Sequence, residues 1–207
     1  MPRVSGDARN AILDEALLMF SEKGFEPTSM RDIAAAVGMR APSLYNHFKG
    51  KQELFDALIE RETTYIEEVL HASGAMALPG DDPSAYCSDE PNAVEDLVWR
   101  SYAPFFTDAR IGSLRRMLAT SRFKDERCNT LFRQIFIDRP IALQKAIFTR
   151  LVDTGSFAPC DAGLAAAEFH GPLFMLMDAE ADPRDAETFC RSHTAAFNET
   201  HRKGSAS

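Results

Sequence analysis

Ala8, Ile12, Ala16 and Phe20 recur every fourth residue, with Leu13 and Leu17 beside them, so one side of this segment is apolar at a helical period. The same spacing returns along the chain. It is carried by Leu54, Leu58 and Ile59, then Val94, Val98 and Tyr102, then Ala162, Ala166, Phe169, Leu173 and Leu176. Ala186, Phe189, Cys190, His193 and Phe197 complete it. No segment alternates apolar and polar residues with the period of two that a half-buried strand requires. The chain is therefore expected to be all-α, without internal repeats. At 207 residues it is long enough for one large domain or for a small one joined to a larger.

Helix boundaries follow from the punctuation. Asp7 suits an N-cap, and Gly24 suits the position just after a helix that has Lys23 in its last turn. Ser29 followed by Asp32 has the form of a capping box opening a short second helix, which should stop near Gly38. Pro42 fits the first turn of a third helix, where its missing N–H costs nothing, and Gly50 should end that helix. A longer amphipathic helix opens at Lys51. Residues 72–92, with three prolines and two glycines, read as a long loop. Helices are expected at roughly 92–106, 109–122, 125–152, 161–178 and 184–200. Pro140 should kink or split the third of these, and Gly171–Pro172 the fourth.

Charge divides the chain. Residues 1–52 hold seven Lys and Arg against six acids, whereas the remainder holds 16 against 25. Between Ile33 and Gln52 there are three cations, Arg40, Lys49 and Lys51, and no carboxylate. A net charge of −8 makes this local exception informative, because a carboxylate-free surface is one that can approach a polyanion. No apolar run reaches the roughly 18 residues of a membrane span. The first ten residues lack the apolar segment of a secretory signal, so a cytoplasmic location and no membrane partner are expected. Cys87, Cys128, Cys160 and Cys190 stand at intervals of 41, 32 and 30 residues, which match no zinc-ligand spacing. No metal and no cofactor are expected.

Two short helices joined by a glycine turn, the second with a polar outer face, form a helix-turn-helix. Leu44 and Phe48 lie four apart and should face inward, leaving Ser43, Asn46 and His47 outside. Asparagine can bond bidentately to adenine, serine can pair with base edges, and Lys51 at the start of the next helix suits a phosphate.

The stretch FEPTSMRDIAAAVGMRAPSLYNHFKGKQELFDAL resembles the N-terminal domain of the tetracycline-repressor (TetR) family of bacterial transcriptional regulators. The pattern comprises Ala16, Phe20, Gly24–Phe25, Thr28–Ser29, Ile33–Ala34, Val37–Gly38, Leu44 to Phe48, and Lys51 with Leu54. The resemblance is strong over about residues 8–58 and elsewhere extends only to an all-helical outline. It implies a three-helix DNA-binding domain over 1–52. It also implies a larger helical effector-binding and dimerisation domain over 53–207. Candidate DNA contacts are Ser29, Arg31, Arg40, Pro42, Ser43, Tyr45, Asn46, His47 and Lys51. Arg40 departs from the pattern, standing where the family usually places a Ser or Thr cap, and is assigned instead to a phosphate or base. Tyr45 has packing as its alternative, and a solvated Lys49 needs no special role.

The resemblance also implies a homodimer on palindromic double-stranded operator DNA and a small-molecule effector. Ala166, Phe169, Leu173, Leu176, Phe189, His193 and Phe197 are the candidate dimer surface, with an intramolecular core face as their alternative. Trp99, Tyr102, Phe106, Met117, Phe123, Cys128, Phe132 and Phe136 are candidate pocket residues for a mainly apolar or aromatic effector, with core packing as theirs. Arg100, Arg116 and Arg133 could orient an anionic ligand, and the 72–92 loop could gate the pocket. The expected function is a repressor released by effector. A regulator or activator without effector is the alternative. An enzyme with incidental N-terminal helices finds no support in any HExxH, phosphate loop or nucleophile elbow.

Overall fold

The computed structural model describes residues 5–73, 84–88 and 90–203. Ten α-helices are described: α1 (Ser5–Lys23), α2 (Met30–Ala36), α3 (Ala41–Tyr45), α4 (Lys51–Ala72) and α5 (Ala93–Thr107). After these come α6 (Ala109–Ser121), α7 (Glu126–Arg133), α8 (Arg139–Asp153), α9 (Ala162–Asp178) and α10 (Pro183–His201). Among the described residues the sole β pairing is an isolated bridge between Phe157 and Arg202. The all-α expectation holds.

Several boundaries differ from those expected. α1 begins at Ser5, which places Asp7 inside its first turn and not at a cap. α3 stops at Tyr45, well before Gly50. The Asn46 and His47 amides donate to carbonyls three residues back, Ser43 and Leu44, which tightens the chain into turns. Pro140 interrupts its helix as expected. α7 passes into a π turn over Gln134–Asp138, and Pro140 sits at the start of α8. α9, in contrast, runs unbroken through Gly171–Pro172. Pro172 leaves only the Glu168 carbonyl without its helical donor, and Glu168 and Gly171 are exposed, so water can serve it. Of the 72–92 loop, residues 84–87 form a 3₁₀ turn; a gating role for residues 74–83 and 89 lies outside the described residues.

Packing divides the chain into two units: Met1–Glu68 with Ala109–Phe132, and Val69–Asp108 with Arg133–Ser207. The first unit thus extends past residue 52 and takes in most of α4, with α6 and most of α7. Ile12, Leu13, Ile33, Leu44, Phe48, Leu54 and Leu58 are fully buried there. Phe20, Phe25 and Phe55 form an aromatic triangle with centroids 4.8–5.7 Å apart. A charge cluster lies in the same unit. Glu62 of α4, fully buried, accepts hydrogen bonds from Arg110 Nε (2.6 Å) and Nη2 (3.0 Å) of α6. It also accepts from Arg61 Nε at 2.8 Å, and Arg61 in turn pairs with Asp14 of α1 at 2.8 Å. Burial works to lower the Arg110 pKa, but the hydrogen bonds to Glu62 outweigh it and hold the guanidinium above its ordinary value.

In the second unit α5 packs on α10, α8 on α9, and α9 on α10. Phe148 is central. Its ring lies 5.8 Å from those of Phe157 and Phe169 and 5.1 Å from that of Phe197.

Candidate nucleic-acid interface

α2 is held by a complete capping box. Ser29 Oγ accepts from the Asp32 amide at 3.2 Å, and the Asp32 carboxylate accepts from the Ser29 amide at 2.9 Å and its hydroxyl at 2.6 Å. These bonds, the side-chain one foremost, hold the Asp32 carboxyl below the usual carboxylate range. They also engage the Ser29 hydroxyl and turn Asp32 toward its own backbone. α2 ends where Gly38 adopts φ +69°, a left-handed turn that lets the Met39 amide close on Ala34 O at 2.8 Å. The chain then re-enters a helix at Arg40. Arg40 is the N-cap and makes no side-chain capping bond, so its guanidinium is not part of the helix start.

Leu44 and Phe48 anchor α3 and the turn after it, being 0% and 1% exposed. Their burial turns the intervening residues outward. Arg31, Arg40, Pro42, Ser43, Tyr45 and Asn46 are exposed, and His47 is half-buried. Tyr45 is 49% exposed, so packing is not its main role. Among the described residues the side chains of Arg31, Arg40, Ser43, Tyr45 and Asn46 have no hydrogen-bond or ion-pair partner within the chain. From Arg40 to Asn46 this row has donors with no internal partner and no carboxylate between them, and it can meet phosphates and base edges.

Lys51 is different. Its ammonium donates to Phe25 O at 2.8 Å and Glu26 O at 3.1 Å and lies 4.3 Å from the Phe25 ring centroid. Two of its three N–H bonds therefore tie the α1–α2 connection to α4, and only the third is left for a phosphate. The neighbouring Lys49 amide is held by Glu53 at 2.7 Å.

The expected pocket residues are divided between the two units. Met117, Cys128 and Phe132 are buried in the first unit. Phe123, in the turn after α6, is 83% exposed. Tyr102 and Phe136 are buried in the second unit, where half-buried Trp99 and Phe106 stack at 6.0 Å. Trp99 and Arg100 also border an open depression of about 480 Å³ along α5. Arg116 is hydrogen-bonded to Ser113 and Arg133 to Asp138. Burial pushes the Cys128 thiol up to about 12 and the Cys190 thiol to about 11, so both stay protonated.

The expected dimer stripe mostly faces inward. Ala166, Phe169, Leu173 and Phe197 are buried within the chain, Leu176 and His193 are half-buried, and only Phe189 is exposed. The small and apolar residues that α9 leaves uncovered are on its other side: Leu164, Ala167, Gly171 and Met175. Leu164 and Met175 are 60% and 61% exposed. The helical period revealed a stripe; it could not tell which of two apolar faces the chain covers itself.

Two polar groups escaped the sequence reading, although both occupy core positions of an apolar period. Glu62 follows Leu58 and Ile59, and Gln144 lies among Ile141, Phe148 and Leu151. A polar residue at such a position signals an internal partner.

A family model described as bacterial regulatory proteins, tetR family, matches residues 12–58. The repressor ComR of Escherichia coli K12 is 43% identical over 53 residues, 26% of this chain and 25% of that protein. KstR2 of Mycobacterium tuberculosis H37Rv is 42% identical over 62 residues, 28% of this chain and 31% of that protein. The chain thus matches about a quarter to a third of the length of these curated relatives. Its fold extends further. The solved KstR2 structure superposes with TM-score 0.63 at 19% identity, covering 97% of each chain. A complex of SmeT, the repressor of a Stenotrophomonas maltophilia efflux pump, with triclosan gives 0.56 at 21% identity, covering 96% of this chain and 93% of that one. Residues 12–58 thus match the helix-turn-helix domain of the tetR family of bacterial regulatory proteins, and over its whole length the chain shares the fold of the solved KstR2 and SmeT structures.

Proposed function

We propose that the protein is a dimeric transcriptional repressor that binds a palindromic operator and is released by a small-molecule effector. The observation that carries this reading is the exposed, carboxylate-free row Arg40, Ser43, Tyr45 and Asn46, held outward by buried Leu44 and Phe48, with exposed Arg31 on α2. Residues 1–52 serve DNA binding, and 53–207 serve effector binding and dimerisation. Arg31, Arg40 and Tyr45 suit phosphates; Pro42, Ser43 and Asn46 suit base edges; Ser29, His47 and Lys51 position the motif and add backbone contacts.

Two-fold symmetry would set two recognition segments about 34 Å apart, in successive major grooves. The uncovered face of α9, with Phe189 of α10, is the surface that fits a second copy. An effector bound more tightly to a state with another separation would release the DNA, to the extent of its differential affinity. SmeT, similar in fold, is known in complex with triclosan, which supports a mainly apolar effector here. Selection of bound sequences from random DNA with the purified protein tests the reading. A palindromic site is expected, with affinity that falls steeply as salt rises. No enriched sequence, or affinity indifferent to salt, would refute it.

A further inference from the structure

A directed chain of hydrogen bonds runs through the buried part of the second unit. Position 140 is a proline and cannot donate to the Phe136 carbonyl, which instead meets His170 Nε2 at 2.9 Å. A carbonyl only accepts, so Nε2 carries the proton and Nδ1 offers a lone pair. The Tyr102 hydroxyl, 2.9 Å from Nδ1, donates to it. With its proton so committed, the Tyr102 oxygen accepts from Gln144 Nε2 at 2.5 Å. Turning the Gln144 amide round would set two acceptors against each other. The orientation is therefore determined, and Gln144 Oε1 is left buried without a partner. Gln144 itself is 7% exposed, Tyr102 5% and His170 1%. An unpaired acceptor at the end of an otherwise complete chain is poised for a donor from outside the protein.

The surroundings limit what that donor can be. Phe105 lies 5.9 Å from Phe136 and 6.3 Å from Tyr102, and Phe174 lies 6.1 Å from His170. Burial lowers the His170 pKa, so no member of the chain is charged near neutral pH. An ammonium would lack a counter-charge, and a carboxylate would face a lone pair. The π turn at Gln134–Asp138, which presents the Phe136 carbonyl, is a rare irregularity of a kind that recurs at functional sites.

We propose that Gln144 Oε1 accepts a hydrogen bond from a neutral hydroxyl carried on an apolar ring system, and that Tyr102, His170 and the Phe136 carbonyl are the positioning chain that aims it. The inference rests on the effector reading above and names the chemical class of that effector. Calorimetric titration of the full chain with 4-phenylphenol, 4-cyclohexylcyclohexanol and 4-methoxybiphenyl tests it, the two alcohols distinguishing aromatic from alicyclic rings. At least one alcohol should bind, about five- to tenfold more tightly than the ether, as one neutral hydrogen bond allows. In Gln144→Leu that alcohol should fall to the level of the ether, while the ether keeps its affinity. Tyr102→Phe, which leaves the amide unaimed, should weaken the preference as well and serves if the leucine variant misfolds. The inference is overturned if neither alcohol binds, as when a water alone occupies the site. It is equally overturned if the ether equals the alcohols, or if the preference survives both substitutions. Operator binding measured alongside separates the two readings. An alcohol sensed through Gln144 that leaves operator affinity unchanged supports this inference and refutes the effector reading. A releasing compound indifferent to Gln144 does the reverse.

Discussion

Replacing Glu62 by alanine should be among the most damaging single changes in the first unit. The carboxylate is fully buried and accepts three hydrogen bonds from two guanidinium groups, at 2.6, 3.0 and 2.8 Å. Arg61 Nη2 also lies 2.6 Å away, off the line of a hydrogen bond. Removing one partner of a buried ion pair costs about 3–5 kcal/mol, because the remaining charge is left desolvated. The low end applies here. The Arg61 and Arg110 side chains keep 19% and 32% of their exposure, so water can reach them, and Arg61 retains Asp14. About 3 kcal/mol is roughly a 150-fold change in the folding equilibrium. It should lower the melting temperature by about 6–12 °C for a chain of this size. Urea denaturation at fixed protein concentration measures it, since dimerisation would otherwise shift the midpoint. The paired variant Glu62→Leu with Arg110→Leu should be less destabilised than the two single changes together, by at least about 1 kcal/mol. A loss under about 1 kcal/mol for Glu62→Ala, or strict additivity, would show that the cluster is hydrated and contributes little.

Asn46→Ala should change which bases the protein prefers, whereas Arg40→Ser should weaken all sequences alike and flatten the salt dependence; competition binding on single-base variants of the selected site reads both. If Arg40→Ser left affinity and salt slope unchanged, its contact with DNA would be excluded. Gly171→Trp should give a folded monomer in sedimentation, because a side chain added at Gly171 meets nothing within 4 Å in the chain itself but would meet a second copy; an unaltered dimer would place the interface elsewhere. His170 should make stability depend on pH. Its folded pKa lies below the ordinary 6.5, so the unfolded chain takes up a proton first and stability falls as pH drops from about 6.5 to the lower folded value. The slope is at most about 1.4 kcal/mol per pH unit and should be missing from His170→Gln; an identical slope in the variant would refute it.

The helical period alone was enough for the all-α class and for most helix spans, because an amphipathic helix writes its buried face into residues three and four apart. The capping box, the glycine turn at Gly38 and the interruption at Pro140 were equally legible, since each is a local rule about backbone donors and φ. The outward placing of Ser43 and Asn46 followed from Leu44 and Phe48 four residues apart, whereas His47, expected beside them, is half-buried and the exposure of Tyr45 came only with the structure. What the chain could not state locally was partnership across distance. Lys51 reads as a free cation in sequence, yet it reaches carbonyls 26 and 25 residues away, because α4 lies against the α1–α2 connection. The stripe Ala166–Phe169–Leu173 is as apolar as the opposite face of α9, and only the packing of α8 and α10 determines which is covered. Glu62 and Gln144 are each a single polar residue in an apolar period. Tertiary structure alone decides that one meets two guanidiniums and the other ends a hydrogen-bond chain with an acceptor to spare, because the energy of a buried polar group resides in its partners and not in its own sequence neighbours.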